Sequence, residues 1–205
     1  MQIPRLQSAR LTLRRYNPGD FEAFAALNAD EMVRRYVGGP LDRTAAMRLF
    51  ERFVAGECVP GHEAWAVTFT DTGDYIGHCW VIWRDGADCP ELGFLIAARQ
   101  WRRGYGSEVA SALVHYALIE ARYPRLTATV DDDHTASIRV LERASMKRER
   151  EERDERGVYF IYSTSPNQGA AANRRPAGQL GGSGSLPAIV AAHRAFPAAV
   201  AELGR

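Results

Sequence analysis

The segment Trp101–Gly106, which reads Trp-Arg-Arg-Gly-Tyr-Gly, constrains this chain most strongly. It lies between a strand-like apolar run, Leu92–Ile96, and a helix-like run, Ser107–Ala121. The first N–H groups of a helix have no partner inside the helix, and the helix dipole makes that end positive. Glycine carries no Cβ, so an anion can approach the backbone closely at Gly104 and Gly106. The pattern predicts a phosphate cradle; the alternative is a plain loop with solvated arginines.

Two familiar nucleotide-binding motifs do not fit this loop. A dinucleotide fingerprint requires a third glycine three residues after Gly106, where the chain has Val109. The acidic residue expected roughly twenty residues further on is also missing, because the sequence there reads Tyr123-Pro124-Arg125. A P-loop needs Gly-Lys-Ser or Gly-Lys-Thr, and the loop has neither. A short pyrophosphate cradle remains.

Hydrophobic periodicity around the loop indicates an α/β chain. Alternation and turn signals predict seven strands, at residues 11–15, 65–70, 75–84, 91–97, 126–130, 146–150 and 158–162. Helical spacing predicts four helices, at residues 21–28, 43–56, 107–121 and 135–144. The charge run Glu151–Arg156 is expected to be a solvated turn.

Four further stretches accompany the loop: Glu91-Leu92-Gly93 before it, Val130–Glu142 after it, and both Arg10-Leu11-Thr12-Leu13-Arg14 and Asp30–Pro40 near the start. Together these motifs resemble the GNAT acetyltransferases, over roughly residues 8–162. The branch that acetylates the N-termini of ribosomal proteins is the most similar. The resemblance implies a GNAT domain over residues 1–162. Its mixed, mostly antiparallel sheet of six to seven strands is splayed between the fourth and fifth strands and flanked by about four helices.

The chain departs from the family pattern at three places. Trp101 stands where the loop usually opens with Gln or Arg. His134 replaces the asparagine that usually starts the motif of the fourth helix, and Ser145-Met146 replaces its closing Gly-Phe. An imidazole can still donate a hydrogen bond to a cofactor.

The activity implied by the resemblance is acetyl transfer from acetyl-CoA to a primary amine, by direct attack in a ternary complex. The amine must be neutral to attack, and its ammonium has a pKa of about 8 to 10. Glu91 is the candidate base, because an apolar wall of Phe94, Trp80 and Trp65 would raise its pKa toward neutrality. His78 and His62 are rival bases, and a strand-end glutamate facing water is the structural alternative.

Two further catalytic groups follow from the same chemistry. The oxyanion needs an N–H donor, and Gly93 in mid-strand indicates a bulge or a close backbone approach. Many GNAT enzymes protonate the leaving thiolate with a helical tyrosine, but that position is Leu141 here. The ribosomal branch uses a serine that matches Ser137, although an early-helix serine bonded to the backbone is an alternative. A thiol has a pKa near 8.5, so the thiolate can also leave unaided.

The resemblance also assigns binding residues. Acetyl-CoA is expected to contact the backbone of the strand, the glycine loop and the fourth helix through Leu95, Ile96, Ala97, Arg102, Arg103, Gly104, Tyr105, Gly106, Ser107 and His134. The amine acceptor, a protein N-terminus or a small amine, is expected between the first two helices and the strand 75–84. Tyr36, Arg35 and Trp83 are its candidate contacts, and core packing is the alternative for these aromatics.

Composition favours a cytoplasmic enzyme, and we expect it to be a monomer or homodimer. A net charge of +1 gives no indication of a nucleic-acid-binding surface, and no apolar run reaches the roughly twenty residues of a membrane span. Cys58, Cys79 and Cys89 are an odd count without metal-ligand spacing, which indicates reduced thiols and no bound metal. A catalytically silent acyl-CoA-binding module, or an enzyme for a longer acyl-CoA, is the alternative function.

The C-terminal part has a different composition. Residues 163–185 are mainly Ser, Pro, Gly, Ala, Asn and Gln, which predicts a flexible linker. Residues 186–205 are alanine-rich, and Ile189, Phe196 and Val200 follow a helical stripe that Pro197 interrupts. We expect either a flexible tail or a helix that docks on a partner subunit.

Overall fold

The computed structural model describes residues 3–55, 62–84 and 86–166. The expectations for Cys58, for most of the 163–185 linker and for the 186–205 segment lie outside these residues. The described strands are β1 Leu6–Gln7, β2 Leu11–Arg14, β3 His62–Phe69, β4 Tyr75–Ile82, β5 Glu91–Ile96, β6 Leu126–Asp131, β7 Lys147–Asp154 and β8 Gly157–Thr164. The helices are α1 Phe21–Ala29, α2 Glu31–Arg34, α3 Arg43–Ala55, α4 Tyr105–His115 and α5 Thr135–Arg143.

One mixed sheet organises the described chain, in the order β1-β2-β3-β4-β5-β6-β8-β7. All neighbours in this sheet are antiparallel except β5 and β6, which are parallel. The α/β class and the mostly antiparallel sheet are therefore confirmed. The counts are slightly higher than expected, because Leu6–Gln7 adds a short edge strand and Glu31–Arg34 adds a four-residue helix.

The parallel pair β5 and β6 is joined only at its beginning. Glu91 is in register with Thr127, and the Thr127 N–H donates to the Pro90 carbonyl at 3.0 Å. No other residues of these two described strands are registered to each other, so the strands separate toward Ile96 and Asp131. This is the expected splay, which we call the β5–β6 gap. It opens at the carboxyl ends of both strands.

Two hydrophobic clusters cover the two faces of the sheet. Leu92 and Ile96 pack with α4 and with Leu141 of α5, whereas Leu95 packs with α1, α2 and α3. Successive side chains of a strand point to opposite faces, so β5 must be apolar on both. Among the described helices, none is long and apolar enough to span a bilayer.

The charge run at 151–156 was wrongly expected to be a turn. Strand β7 extends through it to Asp154, and the hairpin closes at Gly157. Most of β7 is exposed, and it is an edge of the sheet. Charged side chains on an edge strand discourage pairing with other chains, which reconciles the composition with a strand.

A close approach in the sheet explains Gly93. A Cβ at this position would lie 2.2 Å from the Trp80 ring. Strands β4 and β5 stay in continuous register through this point, so the other possibility, a bulge, is not present. Gly93 is therefore the residue that lets the Trp80 indole pack directly against β5.

We predict that Gly93→Ala destabilises the fold by about 1–3 kcal/mol, the usual cost of overpacking a core. Gly19→Ala is the matched control, because a Cβ there meets nothing within 4 Å, and we expect a change within about 0.5 kcal/mol. Denaturant unfolding of both variants measures the difference. Equal stability of the two variants would contradict the Trp80–Gly93 contact.

Candidate active site

The loop before α4 has the backbone of an anion-binding turn. Gly104 is the N-cap of α4 with φ +86°, and Arg102 also has a positive φ of 61°. Positive φ is unfavourable for arginine and is found where the surroundings enforce it, often at ligand sites. Alternating left-handed residues of this kind turn successive N–H groups into one concavity. The helix geometry leaves the N–H groups of Tyr105, Gly106 and Ser107 without partners inside α4.

Two side chains that sequence reasoning did not assign hold this loop in place. The Trp101 indole N–H donates to the Ile96 carbonyl at 2.7 Å, which ties the loop to the end of β5. Glu108 in the first turn of α4 accepts from the Arg10 backbone N–H at 2.7 Å and from Arg10 Nε at 2.9 Å. Arg10 also lies over the Tyr105 ring, 4.4 Å from its centroid. The loop is thus anchored to both β5 and β2.

The residues of the loop before α4 differ in their exposure and in their contacts. Arg102 and Arg103 are exposed, so both guanidinium groups are free to approach an anion. Gly106 packs between β5 and α5, because a Cβ there would lie 3.4 Å from both Phe94 and Val140. The Ser107 hydroxyl oxygen is buried without a hydrogen-bond partner in the described part of the chain. It borders a groove of about 520 Å³ between β1 and α4.

Backbone groups of β5 divide between its two neighbours. The Ala97 N–H donates to the Ile76 carbonyl at 2.8 Å, so Ala97 faces β4. Alternate residues of a strand share an edge, which places the backbone of Leu95 on the β4 side as well. The sequence expectation that Leu95 and Ala97 line the gap is therefore not supported by this geometry. Phe94 and Ile96 direct their backbone groups toward the β5–β6 gap.

A second cluster lies where β6 turns into α5. The Ser137 hydroxyl and His134 Nε2 are 3.2 Å apart, and Ser137 is buried. The Tyr36 ring stacks on the His134 ring with centroids 3.9 Å apart and planes 11° from parallel. Arg35 reaches Asp133 at 3.7 Å, an exposed pair that contributes little energy. The turn after α2 therefore contacts the residue that caps α5.

Burial alters the titration of this cluster. It lowers the pKa of His134 from its usual 6.5, although Asp131 and Asp133 act in the opposite direction. Burial also raises the pKa of Tyr36, and the Asp133 carboxylate adds to the rise. His134 is consequently a neutral imidazole at pH 7.

A buried arginine holds the turn that carries Tyr36. Arg34 donates to the Gly39 carbonyl at 2.6 Å, to the Val37 carbonyl at 2.8 Å and to Asn28 Oδ1 at 2.9 Å. Burial lowers the pKa of Arg34 to about 10, so it stays charged at neutral pH. Sequence reasoning missed Arg34, because nothing in the local pattern distinguishes it from the exposed Arg35.

Glu91 lies at the closed end of the gap, beside Thr127. Its carboxylate pairs with Arg84 Nε at 2.9 Å, and both side chains are mostly buried. The carboxylate thus has an arginine partner that the sequence did not predict, supplied by Arg84 just after β4.

Trp83 does not join the other candidate acceptor contacts. Its ring meets the Tyr123 ring edge-on, with centroids 5.7 Å apart, just before β6 begins. Tyr36 and Arg35 contact the residues after the end of β6, and a six-residue strand spans about 17–20 Å. The structure therefore brings Tyr36 and Arg35 together with His134 and leaves Trp83 at the Glu91 end.

The rival groups are placed elsewhere. His78 is fully buried among Phe24, Phe53 and Trp80, and burial lowers its pKa to about 3. The side chain of His62 lies outside the described residues. Cys79 and Cys89 are buried free thiols, and the described residues contain no group of His, Cys, Asp and Glu that could hold a metal.

Comparison with known proteins gives the family. The family model for the acetyltransferase (GNAT) domain matches residues 10–147. The uncharacterized N-acetyltransferase YoaA of Bacillus subtilis is 30% identical over 153 residues, which cover 72% of this chain and 85% of that protein.

Solved structures agree with the sequence match. An acetyltransferase from Agrobacterium tumefaciens is 29% identical with a TM-score of 0.67, over 80% of this chain and 95% of that one. A putative ribosomal-protein-serine acetyltransferase from Vibrio cholerae shares the fold, with 18% identity, a TM-score of 0.69 and coverage of 81% and 100%. The chain belongs to the GNAT acetyltransferase family.

Proposed function

We propose that this chain transfers the acetyl group of acetyl-CoA to a primary amine by direct attack in a ternary complex. The observation that carries the proposal is the β5–β6 gap, which opens toward the left-handed loop at the start of α4. A phosphate held at a helix N-terminus places the rest of its molecule in the adjacent space. Acetyl-CoA, the co-substrate of the family, has a pyrophosphate for the loop and a long amide-bearing arm for the gap.

The pyrophosphate would bind the N–H groups of Tyr105, Gly106 and Ser107, with Arg102 and Arg103 adding charge-assisted bonds. Arg10 joins this set in our proposal. Its Nη2 lies 3.4 Å from the position of a Cβ on Gly104. The arm of the cofactor would pair with the backbone of Phe94 and Ile96. His134 would contact it from the α5 side.

The chemistry needs a base, an oxyanion donor and an acid for the thiolate. We assign the base to Glu91, whose carboxylate oxygens can accept a proton. A backbone N–H of β5 that faces the gap, such as that of Phe94, would stabilise the oxyanion. Ser137 is the proposed acid, because it is buried beside the gap and bonded to His134.

The acceptor would approach past the turn after α2. Tyr36 and Arg35 stand there, whereas Trp83 would contact only an acceptor that extends to the closed end of the gap. The fold shared with a putative ribosomal-protein-serine acetyltransferase supports testing protein N-termini first. Small amines are the second class.

Thiol release from acetyl-CoA, measured against a panel of N-terminal peptides and small amines, tests the proposal. We expect acetyl-CoA-dependent release with at least one acceptor, and mass spectrometry should find one added acetyl group on its amine. Tight CoA binding without release on any acceptor would favour the silent binding module. Faster release from a longer acyl-CoA would reassign the acyl donor.

We predict that Gly104→Glu raises the dissociation constant of CoA at least about 100-fold, because a carboxylate would occupy the phosphate position and compete for Arg10. Gly104→Gln is the matched control, since it has the same size and the same positive-φ strain without the charge. Calorimetry compares the two variants. Equal affinities would place the pyrophosphate elsewhere. Gly106 is a poorer target, because it packs against Phe94 and Val140.

We predict that Glu91→Gln lowers turnover at neutral pH by about 10²–10⁴-fold and leaves CoA affinity unchanged. The deficit should shrink as the pH rises toward the amine pKa of about 8 to 10, where the acceptor is already neutral. Glu63→Gln, another buried carboxylate, is the control. A deficit that is the same at every pH would assign Glu91 to the ion pair with Arg84 alone.

A further inference from the structure

Three groups from two separate parts of the chain meet beside the β5–β6 gap. Tyr36 follows α2, His134 caps α5, and Ser137 lies in the first turn of α5. The stack of 3.9 Å and the hydrogen-bond distance of 3.2 Å fix the His134 ring between the other two. We propose that His134 carries a proton from the attacking amine to Ser137, which passes one to the departing thiolate, while Tyr36 positions the ring. This rests on the proposed function.

A serine cannot serve as the acid by itself. Its hydroxyl is a much weaker acid than a thiol, whose pKa is about 8.5, so proton loss to a thiolate is uphill. The transfer becomes feasible when the serine oxygen receives a second proton at the same time. His134 Nε2 is within hydrogen-bond distance of that oxygen.

The two nitrogens of the His134 ring have different roles in the proposed relay. Nε2 faces Ser137, and the bond to Ser137 is the only hydrogen bond of the His134 ring within the described residues. Nδ1 is therefore the nitrogen left to accept a proton. In the starting tautomer Nε2 carries the hydrogen, which it donates to Ser137.

Every proton and electron pair in the proposed reaction is accounted for. The amine nitrogen bonds to the thioester carbon, and the carbonyl π electrons move to oxygen. An N–H proton of the tetrahedral intermediate moves to His134 Nδ1. The C–S bond then breaks with its electron pair on sulfur, Ser137 gives its proton to that sulfur, and His134 Nε2–H replaces it. The neutral ring regains its first tautomer by exchange with water.

The surroundings of His134 suit both states of the ring. Burial lowers its pKa, so the ring is neutral and able to accept a proton at pH 7. The two carboxylates close to it favour the imidazolium that forms, and the guanidinium opposes it. The titratable or charged groups that face the ring are Arg35 and Tyr36 from the α2 turn, Asp131 from β6 and Asp133 from the connecting turn.

Two protons leave the amine, and the site has one acceptor for each. Glu91, which lies at the closed end of the gap, takes the first through intervening water, which converts the ammonium into a nucleophile. His134 takes the second, after the C–N bond has formed. Loss of Glu91 is therefore rescued at high pH, where the amine is already neutral, whereas loss of His134 is not.

His134→Gln is the primary test, because an amide nitrogen can replace Nε2 toward Ser137 but cannot carry a proton. We expect a turnover loss of about 10²–10⁴-fold that is not rescued at high pH and is much larger than any change in CoA affinity, with the melting temperature retained. The part of the acidic limb of the wild-type pH profile that comes from protonation of His134 should disappear. His115→Asn, a change at an exposed histidine, should have no effect. Tyr36→Leu should reduce turnover more than Tyr36→Phe, which retains a ring to stack on His134.

A second measurement uses the protein without acetyl-CoA. Imidazole nitrogen shifts in NMR should show His134 titrating below 6.5 with its hydrogen on Nε2, and Ser137→Ala should change both properties. Wild-type turnover in His134→Gln, or no response of His134 to Ser137→Ala, would overturn the relay and leave the acetyltransferase intact. A wild-type chain that releases no thiol with any acceptor would overturn both.

Discussion

The incomplete pairing of β5 with β6 is the constraint on which the rest of the site depends. The strands are in register at Glu91 and Thr127 and then separate. The Ile96 carbonyl accepts from the Trp101 indole, but the gap-facing N–H of Ile96 and both backbone groups of Phe94 lack a strand partner on that side within the described sheet. A buried polar group left unpaired costs about 1–3 kcal/mol, which favours a ligand that itself carries amides. A sheet that stayed paired to its ends would leave no room for such a ligand.

Hydrogen bonds and ring stacking hold the elements around the β5–β6 gap in place. Trp101 fixes the loop to the end of β5, and Glu108 fixes α4 to Arg10. Arg34 holds the turn that brings Tyr36 onto His134. Each support joins the site to a rigid element through hydrogen bonds or stacking, so the proposed phosphate and proton-transfer groups are positioned before any ligand arrives.

Local pattern was sufficient for some of these features. The glycine loop, the helix after it and the splay followed from residues adjacent in sequence and from the family resemblance. The partners of Glu91 and His134 did not, because Arg84 reaches Glu91 across a hairpin and Tyr36 reaches His134 across the gap. Trp83 and Tyr36 do not meet, because they lie at opposite ends of β6. Strand β7 was missed in part, because an edge strand needs no apolar face.

Amide hydrogen exchange with and without CoA tests the central claim most directly, since it reports individual backbone N–H groups. The account predicts new protection at Phe94 and Ile96 on the open edge of β5 and at Tyr105, Gly106 and Ser107 at the start of α4. Protection confined to the groove between β1 and α4, with no change at Phe94 or Ile96, would contradict it.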